Sequence, residues 1–270
     1  MSDEFVRFGP LMDMTSYPTW AQDMVLDCEE TKKRVVDHEI YKKMRDAELT
    51  PRQTRDFLVG VFPVIEQFPQ YMAMNLQKVQ YGRNRGHDMA RKYLIRNIRV
   101  EQSHADYWVE WANASGVSKE DLIYGPVPLT AHALSHWCWH TCERDTLPAA
   151  MAATNYAIEG ATGQWSSVVC SKDTYENLFE PKERKKAMKW LKLHAEYDDT
   201  HPWEALEIIC TIMGSNPSMR GINLLSTCIR KSYEYMALIQ DLCMELKAGD
   251  TTSRFTPAEL TENWSRRRAA

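Results

Sequence analysis

Two stretches of this 270-residue chain place metal-ligating side chains at helical spacing. In "IRNIRVEQSHADYWVEW", Glu101 and His104 stand three apart in a stripe otherwise made of Ala90, Leu94, Ile98, Ala105, Trp108 and Ala112. In "LKLHAEYDDTHPWEALEII", His194, Asp198 and His201 fall at i, i+4 and i+7, and the stripe runs on through Ala187, Leu191 and Ala205. Such spacings share one side of a helix. Carboxylates and imidazoles turned inward without partners are expensive to bury. A further acid, Glu159, lies among Ala152, Ala153, Ala157, Gly160, Ala161 and Gly163, small residues that let helices approach or leave room for a ligand. Oxygen and imidazole donors without thiolate suit iron or manganese. Glu-x-x-His on an inward face is also the recurring unit of di-iron carboxylate bundles. Two Fe²⁺ ions would bring four positive charges against three negative ones from Glu101, Glu159 and Asp198. One more anion, such as a substrate carboxylate, would neutralise the cluster.

Other residues compete for this role. Glu66, in "VGVFPVIEQFPQYM" with Val59, Phe62 and Pro63 on its side, is either an extra ligand or a group behind the ligands. His132, His136 and His140 in "AHALSHWCWHTC" drift along one face with no acid among them, and the interleaved Trp137, Cys138 and Trp139 read as packing. A single inward histidine there would serve a haem-binding module instead. Cys138 and Cys142 are the candidates for a metal-free, thiol-based chemistry, but neither has a recognisable activating neighbour.

The elements that must position these groups read as helices throughout. Expected helices cover 18–47 with a break near 31, then 51–80, 86–114, 129–143, 147–170, 181–200, 202–213 and 217–246. Thr50-Pro51, Leu147-Pro148 and Asn216-Pro217 supply start signals. "NASGVS" and "MGSNPS" supply stops. Pro202 disfavours helical geometry at His201, so the face argument is firmer for His194 and Asp198. Residues 1–247 are expected to form one all-α domain, and 248–270 a tail.

Composition narrows the partners. Net charge is −4 and no basic face stands out, so nucleic acid is not expected. Seven scattered cysteines without a Cys-x-x-Cys pair suit a reduced, cytoplasmic protein. The start "MSDEFVRFGP" has no apolar run of the signal-peptide kind. No segment reaches membrane-spanning length, so stable membrane insertion is not expected.

The stretches "RNIRVEQSHADYW", "HALSHWCWH", "MAATNYAIEGATGQWSSVVCS", "RKKAMKWLKLHAEYDDTHPWEALEIIC" and "KSYEYM" closely resemble the UndA family. These are non-haem iron oxidative decarboxylases that turn medium-chain fatty acids into terminal alkenes, within the haem-oxygenase-like di-iron oxidases. The likeness runs from about residue 8 to residue 245. It implies a compact haem-oxygenase-like (TenA-like) bundle of about seven helices. It implies Glu101, His104 and His194 around a better-held Fe(II), with Glu159, Asp198 and His201 around a second. It implies O₂ as co-substrate, removal of hydrogen from C3 of an acid such as dodecanoic acid, and C1–C2 cleavage to CO₂ and alkene. The substrate yields two electrons whereas reduction of O₂ to water takes four, so an external reductant of unknown identity supplies the rest or peroxide leaves. Phe62, Trp108, Tyr156, Trp190, Tyr233 and Met236 are the expected tunnel wall, with ordinary core packing as the competing reading. The short Glu–His spacing favours the alkene-forming branch over hydroxylation or N-oxygenation of another substrate. An acyl tunnel with no polar group at its closed end would separate the two. Whether the chain forms a homodimer is left open.

Overall fold

The computed structural model describes residues 4–125, 129–197 and 200–245, and every regular element among them is helical. In chain order these are α1 (Thr19–Val36), α2 (Glu39–Arg45), α3 (Pro51–Gln77), α4 (Arg85–Glu101), α5 (His104–Ala114), α6 (Lys119–Tyr124), α7 (Ala133–Arg144) and α8 (Leu147–Met151). A π-helical stretch, Ala152–Ile158, then leads into α9 (Glu159–Cys170), followed by α10 (Pro181–Ala187), α11 (Lys189–Tyr197), α12 (His201–Met213) and α13 (Met219–Glu245). The tail, 248–270, lies outside the described residues.

The local chemistry explains where the helices start. Thr50 and Gln53 form a reciprocal capping box ahead of α3, with Pro51 in the first turn where its missing N–H costs nothing. Pro148 and Pro202 occupy the same kind of position in α8 and α12. His201 therefore opens α12 instead of interrupting a longer helix. The first expected helix breaks at 37–38, not near 31. There, the His38 ring accepts from the Ile40 N–H at 3.2 Å and caps α2. α6 was not expected, although Ser118 and Asp121 form a capping box that marks its start.

Two irregularities matter for function. The helix expected over 86–114 is interrupted at Gln102–Ser103, between Glu101 and His104. The helix expected over 147–170 widens to π geometry over the seven residues before Glu159. π segments are rare and recur at functional sites.

α3 packs against α4, α5 and α7. α12 packs against α4 and the π stretch, α11 against α9, and α13 against α1 and the π stretch. α4 and α12 meet at Gly86, where an added Cβ would lie 2.6 Å from Ile212 Cγ1 and 2.9 Å from its backbone nitrogen. Gly86→Ala must push α12 away, and a loss of roughly 1–3 kcal/mol is expected in a denaturant melt.

The core beside α11 is aromatic. Trp190 lies flat against Trp165 and Trp111, with ring centroids 5.5 and 5.9 Å away, and meets Trp108 edge-on at 4.7 Å. The Trp108 N–H donates to the Leu58 carbonyl at 3.0 Å, and that of Trp111 to the Tyr175 hydroxyl at 2.8 Å. This rigid block supports the helix that carries His194.

Candidate metal centre

Glu101 ends α4 and His104 begins α5, so the break between them sets their mutual geometry. Glu101 Oε2 and His104 Nδ1 approach to 2.6 Å, yet the contact lacks the alignment of a hydrogen bond, and Nδ1 finds no other partner among the described residues. Both side chains are buried. Two lone-pair-bearing atoms drawn together in this way suit ligands that share a cation.

His194 comes from α11. Its Nδ1 lies 2.7 Å from the Trp190 carbonyl, its ring stacks on the Trp190 indole at 3.7 Å, and its centroid lies 4.8 Å from that of His104. Nδ1 bonded to a carbonyl carries the proton, which places the lone pair on Nε2. Burial, aided by the neighbouring His104, lowers the His194 pKa to about 3, so the ring is neutral. His201 is likewise shifted down by burial.

Glu159 follows the π stretch. Its Oε1 accepts from Asn155 Nδ2 at 2.7 Å, and its Oε2 lies 3.5 Å from the Tyr93 hydroxyl and 3.9 Å from His201 Nδ1. Tyr93 also reaches the His201 carbonyl at 3.3 Å. Close approach here depends on Gly160, where a Cβ would sit 3.3 Å from the Cβ of Pro202.

Glu101, His104, Glu159 and His194 line one cavity of about 30 Å³, together with Ile65 and Phe68 of α3 among others. That is room for roughly two water-sized spheres. The donor set is oxygen and imidazole, without sulfur, and fits iron. Among the described residues no three His, Cys, Asp or Glu side chains already close on one point as a metal site. Asp198, expected to complete the set, lies outside the described residues.

The sequence did not single out Tyr93 and Asn155, which orient Glu159, or Asn97, which is fully buried one turn before Glu101. Neither amide atom of Asn97 has a hydrogen-bond partner among the described residues. A polar residue recurring every four positions (93, 97, 101) on α4 was the available signal for two of them.

Several expectations need correction. Glu66 is exposed, accepts from Gln70 at 3.3 Å, and lines a separate cavity of about 820 Å³ together with His132 and His136. The face it shares with Val59, Phe62 and Pro63 opens onto that cavity, so its apolar neighbours do not place it at the centre. Phe62 belongs to the same outer cavity. Trp108 is fully buried in the aromatic block, and Tyr156 and Tyr233 lie with Cys28 toward α1. Of the expected wall residues, Trp190 lines the polar cavity and Met236 an adjoining chamber. His136 and His140 are exposed, while Trp137 and Trp139 are anchored by hydrogen bonds to Ser232 and Gln67.

Residues 55–221 match the haem-oxygenase-like family described as iron-containing redox enzymes. The chain belongs to that family. A solved TenA homologue from Pseudomonas syringae pv. tomato is 56% identical, with a TM-score of 0.89 over 90% of this chain and 100% of that one. A haem-oxygenase-like domain from Shewanella denitrificans shares the fold at 12% identity, TM-score 0.65, over 86% of this chain and 96% of its own. The 4-aminobenzoate synthase of Chlamydia muridarum is 29% identical over 133 residues, 47% of this chain, and the chain spans about half (53%) of that relative. Oxygen and nitrogen donors of the kind gathered at Glu101, His104, Glu159 and His194 are among those that suit iron.

Thiol chemistry is poorly served in this family member. All seven cysteines are free. Burial pushes Cys138 well above its ordinary value and Cys142 up to about 12. Both are held as thiols, the unreactive form. Alkylation of the native chain near neutral pH should therefore spare Cys138 and Cys142 and modify them only after unfolding, as peptide mass mapping would show.

Proposed function

We propose that the chain is an O₂-dependent oxidative decarboxylase that converts a medium-chain fatty acid to a terminal alkene and CO₂ at a paired Fe(II) centre. One observation carries this reading. The cavity lined by the four buried ligands shares Val64, Ile65, Ile158 and Thr162 with a second, largely apolar chamber. A carboxylate at the ligands would thus point its carbon chain into a space lined mostly by hydrocarbon apart from Tyr41 and Gln240, which fixes the reacting C–H by position more than by acid–base groups.

When bound, iron would supply activation of O₂ and the accompanying one-electron steps. The chain's own residues do the rest. Trp190 and its carbonyl hold His194 in one tautomer. Asn155 and Tyr93 fix the Glu159 carboxylate. Phe68 and the aromatic block exclude water from around the ligands. The chamber is as small as the metal cavity, about 30 Å³, so an acyl chain enters by displacing adaptable, unbranched side chains such as Met236.

A second reading keeps the centre but oxygenates another substrate, by hydroxylation or N-oxygenation. The relatives named 4-aminobenzoate synthase favour it, and so does the polar pair Tyr41 and Gln240 in the chamber, where an acyl tunnel was expected to carry no polar group. The discriminating experiment is anaerobic loading with Fe²⁺, addition of dodecanoic acid, exposure to O₂, and headspace gas chromatography. Alkene that requires both iron and O₂ supports decarboxylation. Iron-dependent O₂ uptake that responds to the acid but gives no alkene supports the second reading. Asp198→Ala is expected to lower iron content by about half while retaining the better-held ion, and equal metal content in both proteins would contradict the assignment of Asp198.

A further inference from the structure

Beyond the four residues it shares with the metal cavity, the chamber is walled by Phe57, Val61, Leu134, Ile239 and a buried polar pair, Tyr41 and Gln240. Gln240 Nε2 donates to the Tyr41 hydroxyl at 2.7 Å, and each residue is 2% exposed. Gln240 Oε1 accepts no hydrogen bond among the described residues. Tyr41 cannot easily turn away to relieve this, because its ring lies flat on Trp165, centroids 4.6 Å apart, and edge-on to Phe57 at 6.0 Å. Exchanging the amide's nitrogen and oxygen does not remove the problem. The pair would then bond through Oε1 and leave Nε2 without an acceptor.

A buried, unfilled polar position in an apolar chamber is costly unless a ligand completes it. As placed, Tyr41 offers an O–H to donate and Gln240 Oε1 a lone pair to accept. A hydroxyl group is the complement of that pair, since it can accept from one and donate to the other. A methyl group there would strip water from both without replacing either bond.

We propose that the Tyr41–Gln240 pair receives a hydroxyl at the far end of the substrate, so that the preferred substrate is an ω-hydroxylated acyl acid and not the plain fatty acid. This rests on the reading above, in which the carboxylate sits at the ligands and the chain extends into the chamber. The class of reaction that must supply such a substrate is terminal hydroxylation of a medium-chain acid, and the product would be a terminal alkenol.

Binding by the Fe²⁺-loaded chain under anaerobic conditions tests this without turnover. Octanoic, decanoic and dodecanoic acids and their ω-hydroxy counterparts are titrated against intrinsic tryptophan fluorescence, to which Trp165 and Trp190 in the cavity walls respond. At the length that spans from the ligands to the pair, the hydroxy acid is expected to bind about tenfold more tightly than its parent. Gln240→Leu should reverse that preference. Tyr41→Phe, which keeps the stacked ring, should reduce it and serves if the leucine variant fails to fold. Equal affinities at every length would mean that water alone completes the pair and would overturn the proposal. So would a preference that survives both substitutions. Iron- and O₂-dependent alkene from plain acids with no such preference would sink this inference and leave the decarboxylase reading standing. Binding of neither acid series by a chain that takes up iron would remove both.

Discussion

Replacing His194 by alanine is expected to abolish both iron binding and turnover. This imidazole is held by the Trp190 carbonyl and by the stacked indole, so its Nε2 is fixed before any metal arrives. Alanine removes a ligand and its rigid support together. Loss of groups behind a ligand alone commonly costs 10–100-fold in affinity, and loss of the ligand should cost at least about 100-fold. The ring is buried, so the cavity left behind also destabilises the fold, by roughly 2–4 kcal/mol. His194→Gln, which fills more of the space, separates the two effects: it should recover much of the stability and little of the iron. Anaerobic Fe²⁺ titration with a parallel thermal melt reads both. Normal iron uptake by a folded His194→Ala chain would remove His194 from the centre.

The second large effect is an asymmetry between two carboxylates. Glu101→Gln keeps size and shape but removes the charge that lies 2.6 Å from His104 Nδ1. The better-held ion should be lost, and activity should fall by two orders of magnitude or more, in line with removal of a group that stabilises charge at the reacting centre (~10²–10³). Glu159→Gln keeps an acceptor for Asn155 at Oε1. It is expected to lose only the second ion, with roughly half the iron retained. Metal analysis of the two variants side by side decides this, and identical iron loss from both would contradict a division of the ligands between two ions.

How far these residues were legible beforehand depends on which physics carried the signal. Side-chain spacing reports a helical face, and that brought His194 into the candidate set; it also put Glu101 beside His104, although the two meet across a helix break and not on one continuous face. The helical class was legible too, because proline or capping residues punctuate most starts. Spacing does not report irregular backbone. The interruption at Gln102–Ser103 and the π stretch before Glu159 carry no proline or glycine to announce them. Bonds between distant elements are equally silent in one sequence. Tyr93 on α4 meets Glu159 across the bundle, and Gln240 on α13 meets Tyr41 on α2. Glu66 shows the opposite failure. Its apolar neighbours are real, but the face they share borders an outer cavity, and a one-dimensional pattern cannot distinguish a cavity wall from a core.

Anaerobic titration of Fe²⁺ into the full chain, followed by Mössbauer spectroscopy with and without dodecanoic acid, bears most directly on the proposed centre. The expected result is high-spin ferrous iron in an oxygen- and nitrogen-ligated environment, with uptake of a second ion strengthened by the acid and all specific binding lost in a Glu101→Gln, His194→Gln double variant. A folded chain that takes up no iron under either condition, or one that binds it equally well after both substitutions, would contradict the centre built from Glu101, His104, Glu159 and His194.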